Sequence, residues 1–444
     1  MAEENVEMVD YGWQHESNFE PQQVDVQKYT HQFGRVLTWE ADPWYDVCRS
    51  WYETCYIHAG ISGFENTISG PDAQKLLSDV SINDVMKWGI NRNKHLVMCD
   101  ENGLILNHAL FMRDGEQAFR TTAGNDWPFM RLLAQGGYDA KSTVREVFVF
   151  QFSGPKSLTI LEKLTRTDLH DVKFLEVRPV SIPGIEGEFE IDRIGMSGTL
   201  AYEIRGAKEF GPAVYMAALE AGRPLGLKRL GWRSYPVNHT YGGYPQMTCT
   251  FETACYADPT FPAPWPIVAT GSVEPENVRA RLRSVGEVGW MWMAKFNHDF
   301  IGRAAVEAEA ANPARTIVSL KWNPEDLAEI YASLWQEGEP YKYMEFPAAQ
   351  QEPAGGHQDY ITTLDGKKVG YSATPIYSSW WHTTISESTV DVEYAKEGTQ
   401  LLVQWGDYGH RIKNVRAEIV RYPYSNVTEN KDYDVSTVEH GENL

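Results

Sequence analysis

The spacing of reactive residues in this chain removes several chemistries before it suggests one. There is no Gly-x-x-x-x-Gly-Lys-Ser/Thr, no strand-linked Gly-x-Gly-x-x-Gly, no Gly-x-Ser-x-Gly and no His-Glu-x-x-His. ATP hydrolysis, nicotinamide chemistry, serine esterase chemistry and zinc proteolysis therefore lose their usual anchors. The histidines are scattered, and no two of them stand at ligand spacing. The five cysteines (Cys48, Cys55, Cys99, Cys249, Cys255) never form Cys-x-x-Cys. Neither a structural zinc site nor a disulfide scaffold is expected, and no metal is assigned. Two single residues keep a chemical reading open. Glu203 lies in a strand-like run after the turn Gly195-Met196-Ser197-Gly198. A fixed acid at a strand edge accepts paired, charge-assisted hydrogen bonds; a solvated strand Glu does not. Tyr235, in Arg233-Ser234-Tyr235-Pro236, is either a proton donor beside a bound group or a core tyrosine with a satisfied hydroxyl.

The elements that must position such residues show one repeat. Thr67-Ile68-Ser69-Gly70-Pro71-Asp72 is echoed 84 residues later by Gln151-Phe152-Ser153-Gly154-Pro155-Lys156. Each copy reads as a strand end, a Ser-Gly corner and a Pro in the first helical turn, where the missing N–H costs nothing. Apolar residues then recur at helical spacing. An internally duplicated α+β unit follows. Residues 1–45 are acidic, weakly periodic and dotted with aromatics, and are expected to drape as an arm over a later domain. Helices are expected at 209–221 and 303–311, and a long ordered loop at 246–266. Beyond about 355, short β-like runs at 360–364, 368–373, 382–386, 400–405 and 417–421 alternate with turns such as Asp365-Gly366, the pattern of a small barrel or sandwich. The last twenty or so residues are polar and expected to fray.

Composition bounds the partners. The 444 residues carry 40 basic against 61 acidic side chains, a net charge of −21. That field repels a phosphate backbone and an anionic membrane surface, so neither nucleic acid nor membrane is expected as a partner. No apolar stretch approaches the roughly 20 residues of a spanning helix. The acidic start, Met1-Ala2-Glu3-Glu4, is unlike a secretory signal, and a cytoplasmic location is expected. Aromatics make up 12% of the chain, suited to flat apolar ligand walls.

Residues 61–73, Ile-Ser-Gly-Phe-Glu-Asn-Thr-Ile-Ser-Gly-Pro-Asp-Ala, resemble the first strand–helix of the glycine-cleavage T-protein (aminomethyltransferase) superfamily. Residues 195–204, Gly-Met-Ser-Gly-Thr-Leu-Ala-Tyr-Glu-Ile, resemble its Gly-Tyr-Ser/Thr-Gly…Glu-Ile segment. Gly243-Tyr244-Pro245, Asp299-Phe300-Ile301-Gly302-Arg303 and Glu397-Gly398-Thr399 follow in the family's order. Arg233-Ser234-Tyr235-Pro236, residues 295–303 and Ile330-Tyr331-Ala332-Ser333-Leu334 are similar to the tetrahydrofolate-dependent aryl O-demethylases of vanillate and syringate. The match spans about residues 45–425. It implies an α+β T-protein fold: an arm (1–45), a duplicated core (46–275), a second α+β domain (276–355), a C-terminal β-barrel (356–430) and a polar tail (431–444). Tetrahydrofolate would lie in the central hole. The resemblance further implies that Glu203 accepts two hydrogen bonds from the pterin and that Tyr235 protonates a departing phenolate. Tyr244 and Trp232 are either ring walls around the cofactor or plain core residues.

Departures from the family pattern matter equally. Where the T-protein has an Asp pair, this chain has Leu106-Asn107-His108, which disfavours glycine cleavage. Ser62 aligns with a histidine of many relatives, and Thr121 with an arginine of the vanillate enzyme. Either the substrate lacks a carboxylate, or His58 and Arg120 substitute from shifted positions. The expected activity is one-carbon removal from a methoxylated, lignin-derived aromatic, with methyl transfer to folate. One alternative is a folate-independent formaldehyde lyase cleaving a hydroxymethyl C–C bond of a phenolic dimer such as a phenylcoumaran. Another is a non-catalytic folate-binding paralogue.

Overall fold

Period-2 apolar runs interrupted by Ser-Gly corners and helical periodicity set up the first half of the chain. A computed structural model describes residues 28–32, 35–60, 63–122, 126–196, 198–247, 249–263, 267–348 and 356–441. A hairpin, β1 (Lys28–Gln32) and β2 (Arg35–Glu40), leads into α1 (Trp44–Glu53) and β3 (Cys55–His58). One repeat comprises β4 (Gly63–Ser69), α2 (Ala73–Val80), β5 (Arg92–Cys99), β6 (Ile105–Gly115), β7 (Ala118–Thr122) and α3 (Trp127–Gln135). The other comprises β8 (Lys141–Ser153), α4 (Ser157–Thr165), β9 (Val177–Ile182), β10 (Ile185–Asp192), β11 (Ala201–Ala207) and α5 (Gly211–Gly222). β12 (Leu227–Arg229) and α6 (Tyr235–Gly242) close this half.

The strand order β5-β6-β7-β4-β8-β11-β10-β9 is a palindrome of the two repeats, with β4 and β8 paired antiparallel at its centre. The two corners are geometric copies. Gly70 and Gly154 have φ of +130° and +131°, a region that disfavours a side chain. A Cβ would stand 2.5 Å from the Asp139 carbonyl oxygen at the first corner and 2.5 Å from that of Thr54 at the second. The same carbonyls accept from the Asp72 N–H at 3.1 Å and the Lys156 N–H at 2.9 Å. The duplication read from the sequence is thus built into the sheet.

The arm reaches its target through its described part. The Trp232 N–H donates to the Thr38 carbonyl at 2.8 Å and the Arg233 N–H to that of Trp39 at 3.0 Å. Ion pairs Asp42–Arg229 (2.9 Å) and Glu40–Arg233 (2.6 Å) pin it further. Residues 1–27 lie outside the described residues. The described residues of the expected 246–266 loop, 246–247 and 249–263, carry one short turn of 3-10 helix, Ala254–Ala257; residues 248 and 264–266 lie outside the described residues.

After α7 (Arg303–Ala311), β13 (Arg315–Trp322) and α8 (Pro324–Ala332) come β14 (Asp359–Thr362), β15 (Lys368–Ser372), β16 (Ile376–Ser378), β17 (Thr383–Asp391), β18 (Gln400–Trp405) and β19 (Lys413–Val420). The order β13-β19-β18-β14-β15-β17 closes because β17 returns to β13, giving a six-stranded barrel with β16 added on β17. β13, from the stretch assigned to a second α+β domain, therefore belongs to the barrel. Its short isolated run gave no sign of distant partners. Trp322 and Trp405 fill the interior edge to face, 5.9 Å apart. The expectation of a frayed end is corrected: the chain stays packed to Gly441. Tyr433, Val435 and Val438 rest on the core of the second repeat, and the Arg193 guanidinium takes the Asn430 and Tyr433 carbonyls. Among the described residues, no helix is long and apolar enough to cross a membrane.

Gly154→Ala is expected to destabilise the fold by about 2 kcal/mol or more, since the chain cannot relieve both the positive φ and the carbonyl contact. Urea denaturation of the purified variant measures this; an unchanged midpoint contradicts the corner geometry.

Candidate active site

Strand alternation sorts the curled sheet into two faces. Ile68, Leu96, Phe111 and Phe119 of the first repeat, and Phe148, Phe150, Tyr202 and Ile204 of the second, pack in apolar cores with the helices. Their neighbours along the strands point the other way. That inner face is polar: it carries Asn93, His95, His108, Arg120, Gln151, Asp192, Glu203 and Arg205, all buried or half-buried.

Arg205 joins the acids. Its Nη2 lies 2.9 Å from Asp192 and 2.8 Å from Glu203. Asn93 Nδ2 donates to Asp192 at 2.5 Å. Gln151 Nε2 donates to Glu203 Oε1 at 3.2 Å, while Gln151 Oε1 accepts from Ser153 (3.2 Å) and from the Tyr56 hydroxyl (3.3 Å). Asn238 Nδ2, on α6, donates to that Tyr56 oxygen. One hydrogen-bonded chain thus runs from β5 across the inner face to α6. Burial pushes the Glu203 carboxyl up to about 7; Asp192 adds to the push and Arg205 opposes it.

α6 is held between the sheet and the barrel. Its Tyr241 hydroxyl donates to the Thr383 carbonyl at 2.6 Å, and Pro236 sits in its first turn, where no N–H is required. The helix presents Tyr235, Asn238 and His239. The Tyr235 ring stacks on Trp232 (4.6 Å, 12°), lies 4.6 Å from His58 and meets His239 edge-on at 4.4 Å. Gln246 Nε2 donates to the Tyr235 oxygen at 2.9 Å, so the phenol keeps its own proton to give. Burial holds that phenol well above the usual tyrosine range. Burial also pushes His58 down to about 4, against a smaller opposing effect of the Leu230 backbone, and His239 down to about 3. Both imidazoles are neutral near pH 7. Neither ring, nor the Asn238 Oδ1, has a well-aligned hydrogen-bond partner among the described residues. Buried polar atoms left so, clustered on one helix and the adjacent β3, are groups that a polar ligand would satisfy.

Tyr244 extends the ring wall. Its hydroxyl lies 3.1 Å from His95 Nδ1 and 3.2 Å from His108 Nε2. With both imidazoles held neutral by burial, one ring accepts the phenolic proton and the other donates to its oxygen. His108 packs on Trp290 at 4.3 Å, and Tyr244 is 6.3 Å from His239. Rings therefore run without a break from Trp232 to Trp290.

The structure brings Tyr235, Trp232, His58 and Tyr244 together, and the hydrogen-bonded chain ties Glu203 to the same helix. Arg120 is committed elsewhere: it is buried against Glu65 (3.3 Å), Asp114 (2.5 Å) and Glu190 (2.8 Å). Thr121 Oγ1 donates to the Leu110 carbonyl at 2.9 Å. Ser62 lies outside the described residues. Sequence reasoning missed Arg205, Asp192, Gln151, Asn238 and His239. The alternation Tyr202-Glu203-Ile204-Arg205 was a signal for Arg205; the others carried none.

The model of the GCVT N-terminal domain family matches residues 8–248, and the chain belongs to that aminomethyltransferase family of one-carbon-transferring enzymes. Among its relatives, the sesamin methylene transferase of Sinomonas sp. (strain No.22) is 33% identical over 87% of this chain and 90% of its own length. The syringate O-demethylase of Sphingobium sp. (strain NBRC 103272 / SYK-6) is 26% identical, with the same coverage. The solved glycine cleavage system aminomethyltransferase T from Bartonella henselae shares the fold, with a TM-score of 0.67 at 14% identity, covering 92% of this chain and 96% of that one.

Arg205→Met should cost about 3–5 kcal/mol of stability, because Asp192 and Glu203 would lose their shared cation while buried. Chemical denaturation at pH 7.5 measures it. A loss below about 1 kcal/mol would contradict the role of Arg205.

Proposed function

We propose that the protein moves a one-carbon unit from an oxygen of an uncharged, oxygenated aromatic to tetrahydrofolate. The observation that carries this reading is the polar inner face ending at Glu203, beside a continuous ring wall. A pterin is flat and rich in N–H donors; Glu203 would accept from it, and Tyr244 and Trp232 would flank rings. The unpartnered His239 and Asn238 atoms fit a group of that polarity. When bound, the folate supplies a nucleophilic nitrogen that accepts the one-carbon unit.

The chain's own residues do the rest. Stacked rings orient two flat molecules and exclude water, which supplies much of the rate advantage of a bound pair. Tyr235 stays protonated at working pH, and Gln246 aims its lone pair away from the substrate. The phenol then donates to the departing aryl oxygen as general acid.

Substrate charge follows from what the ring pocket lacks. Arg120 is consumed by three carboxylates, and His58 is neutral near pH 7. Neither offers a cation to a benzoate. An uncharged methoxy or methylenedioxy aromatic suits these walls better; a 33%-identical relative is named a sesamin methylene transferase.

The test is a panel of uncharged methylenedioxy and methoxy aromatics together with vanillate and syringate, each with and without tetrahydrofolate. The uncharged ethers should turn over at least tenfold faster than the benzoates, with folate consumed in proportion to the phenol formed. Free formaldehyde without folate, and with every ether intact, would instead establish the lyase. Fast benzoate turnover would show that a cation reaches the pocket after all.

A further inference from the structure

Away from the ring wall, the chain end closes on α4 with a set of side chains that the transfer chemistry does not use. Glu162, on α4, is fully buried, and no lysine or arginine pairs with it among the described residues. Its Oε1 lies 2.7 Å from His170 Nδ1 and its Oε2 lies 3.5 Å from His440 Nδ1. Asp168 Oδ1 stands 3.5 Å from His170 Nδ1 and 4.0 Å from His440 Nδ1. All four donor atoms fall within 4.8 Å of one another. The two imidazoles are 270 positions apart in the chain, so their pairing was invisible in the sequence.

The hydrogen bonding of His170 is informative. Its Nε2 is 3.0 Å from the Val438 carbonyl oxygen, an acceptor, so the proton of a neutral ring belongs there. Nδ1 then presents a lone pair toward the Glu162 and Asp168 oxygens. A lone pair facing two carboxylates is repulsive unless a second proton or a metal ion stands between them. A ring whose far N–H is fixed by a backbone carbonyl is also the usual arrangement of a metal-ligating histidine. Tetrahedral bonds of about 2.0–2.2 Å put ligand atoms roughly 3.4 Å apart, between the shortest separation in the cluster, 2.7 Å, and the 4.8 Å that encloses it.

We propose that Glu162, Asp168, His170 and His440 bind one divalent transition-metal ion of the zinc class, which staples the chain end to the second repeat. Two imidazole nitrogens and two carboxylate oxygens suit zinc, nickel or cobalt better than calcium or magnesium. The staple closes on existing contacts: Thr159 Oγ1 donates to the Glu439 carbonyl at 2.6 Å and the Gly441 N–H to Glu162 Oε2 at 2.8 Å. Tyr433 and Val438 then cover the core on which Tyr202, the residue before Glu203, packs.

The full chain, stripped with chelator, should take up one equivalent of Co2+ with the intense visible bands of a tetrahedral site, and Zn2+ should displace it. Zn2+ should also raise the melting temperature and slow proteolysis of the last dozen residues. His440 is 57% exposed as a side chain, so His440→Ala should fold normally while binding Co2+ at least tenfold more weakly; His170→Ala should weaken Co2+ binding by at least as much. Equal binding by the wild type and both variants would place the metal elsewhere. No binding, with a tail equally protected in chelator, would mean that a protonated imidazole alone holds Glu162. Either result overturns the proposal.

Discussion

Arg205 between Asp192 and Glu203 is the interaction on which the inner face depends. Two carboxyl groups and a guanidinium share a space from which water is largely excluded, and one guanidinium must serve both acids. Desolvation of such charges is offset only when their geometry is fixed and their remaining lone pairs are satisfied. Asn93 and Gln151 provide that satisfaction from opposite ends. Glu203 is thereby held in one orientation and poised near neutrality. A solvated strand glutamate would be neither.

The duplication explains why such a face exists. Two copies of a strand–helix corner place β4 beside β8 and wrap the outer surfaces in helices, leaving the concave surface to be covered by other parts of the chain. The arm, α6 and the barrel do this, and α6 brings the rings. Arg120 shows the other outcome on the same face. It meets three carboxylates and becomes part of the scaffold.

Much of this was legible in the sequence, for physical reasons that differ by element. The Ser-Gly-Pro corners showed the duplication because backbone geometry demands those residues locally. The barrel strands showed through turn chemistry, apart from β13, whose partners are distant. Tyr235, Trp232, His58 and Tyr244, each named separately from the sequence, lie in one run of rings in the fold. Asn238 and the Glu162–His440 group were hidden because each depends on contacts between remote segments, which neither spacing nor composition encodes; Arg205 was legible in the strand alternation and was missed. The packed chain end was misread because a polar composition conceals three well-placed apolar residues, Tyr433, Val435 and Val438.

The most direct measurement is tetrahydrofolate affinity across pH for the wild type and Glu203→Gln. The carboxylate accepts the pterin's hydrogen bonds only when ionised, and burial places its titration at about pH 7. Affinity of the wild type should therefore rise about tenfold between pH 6 and pH 8. Glu203→Gln should bind more weakly, by roughly 2 kcal/mol at pH 8, with the pH dependence gone. Identical profiles for the two proteins would contradict the assignment of Glu203 as the folate acceptor.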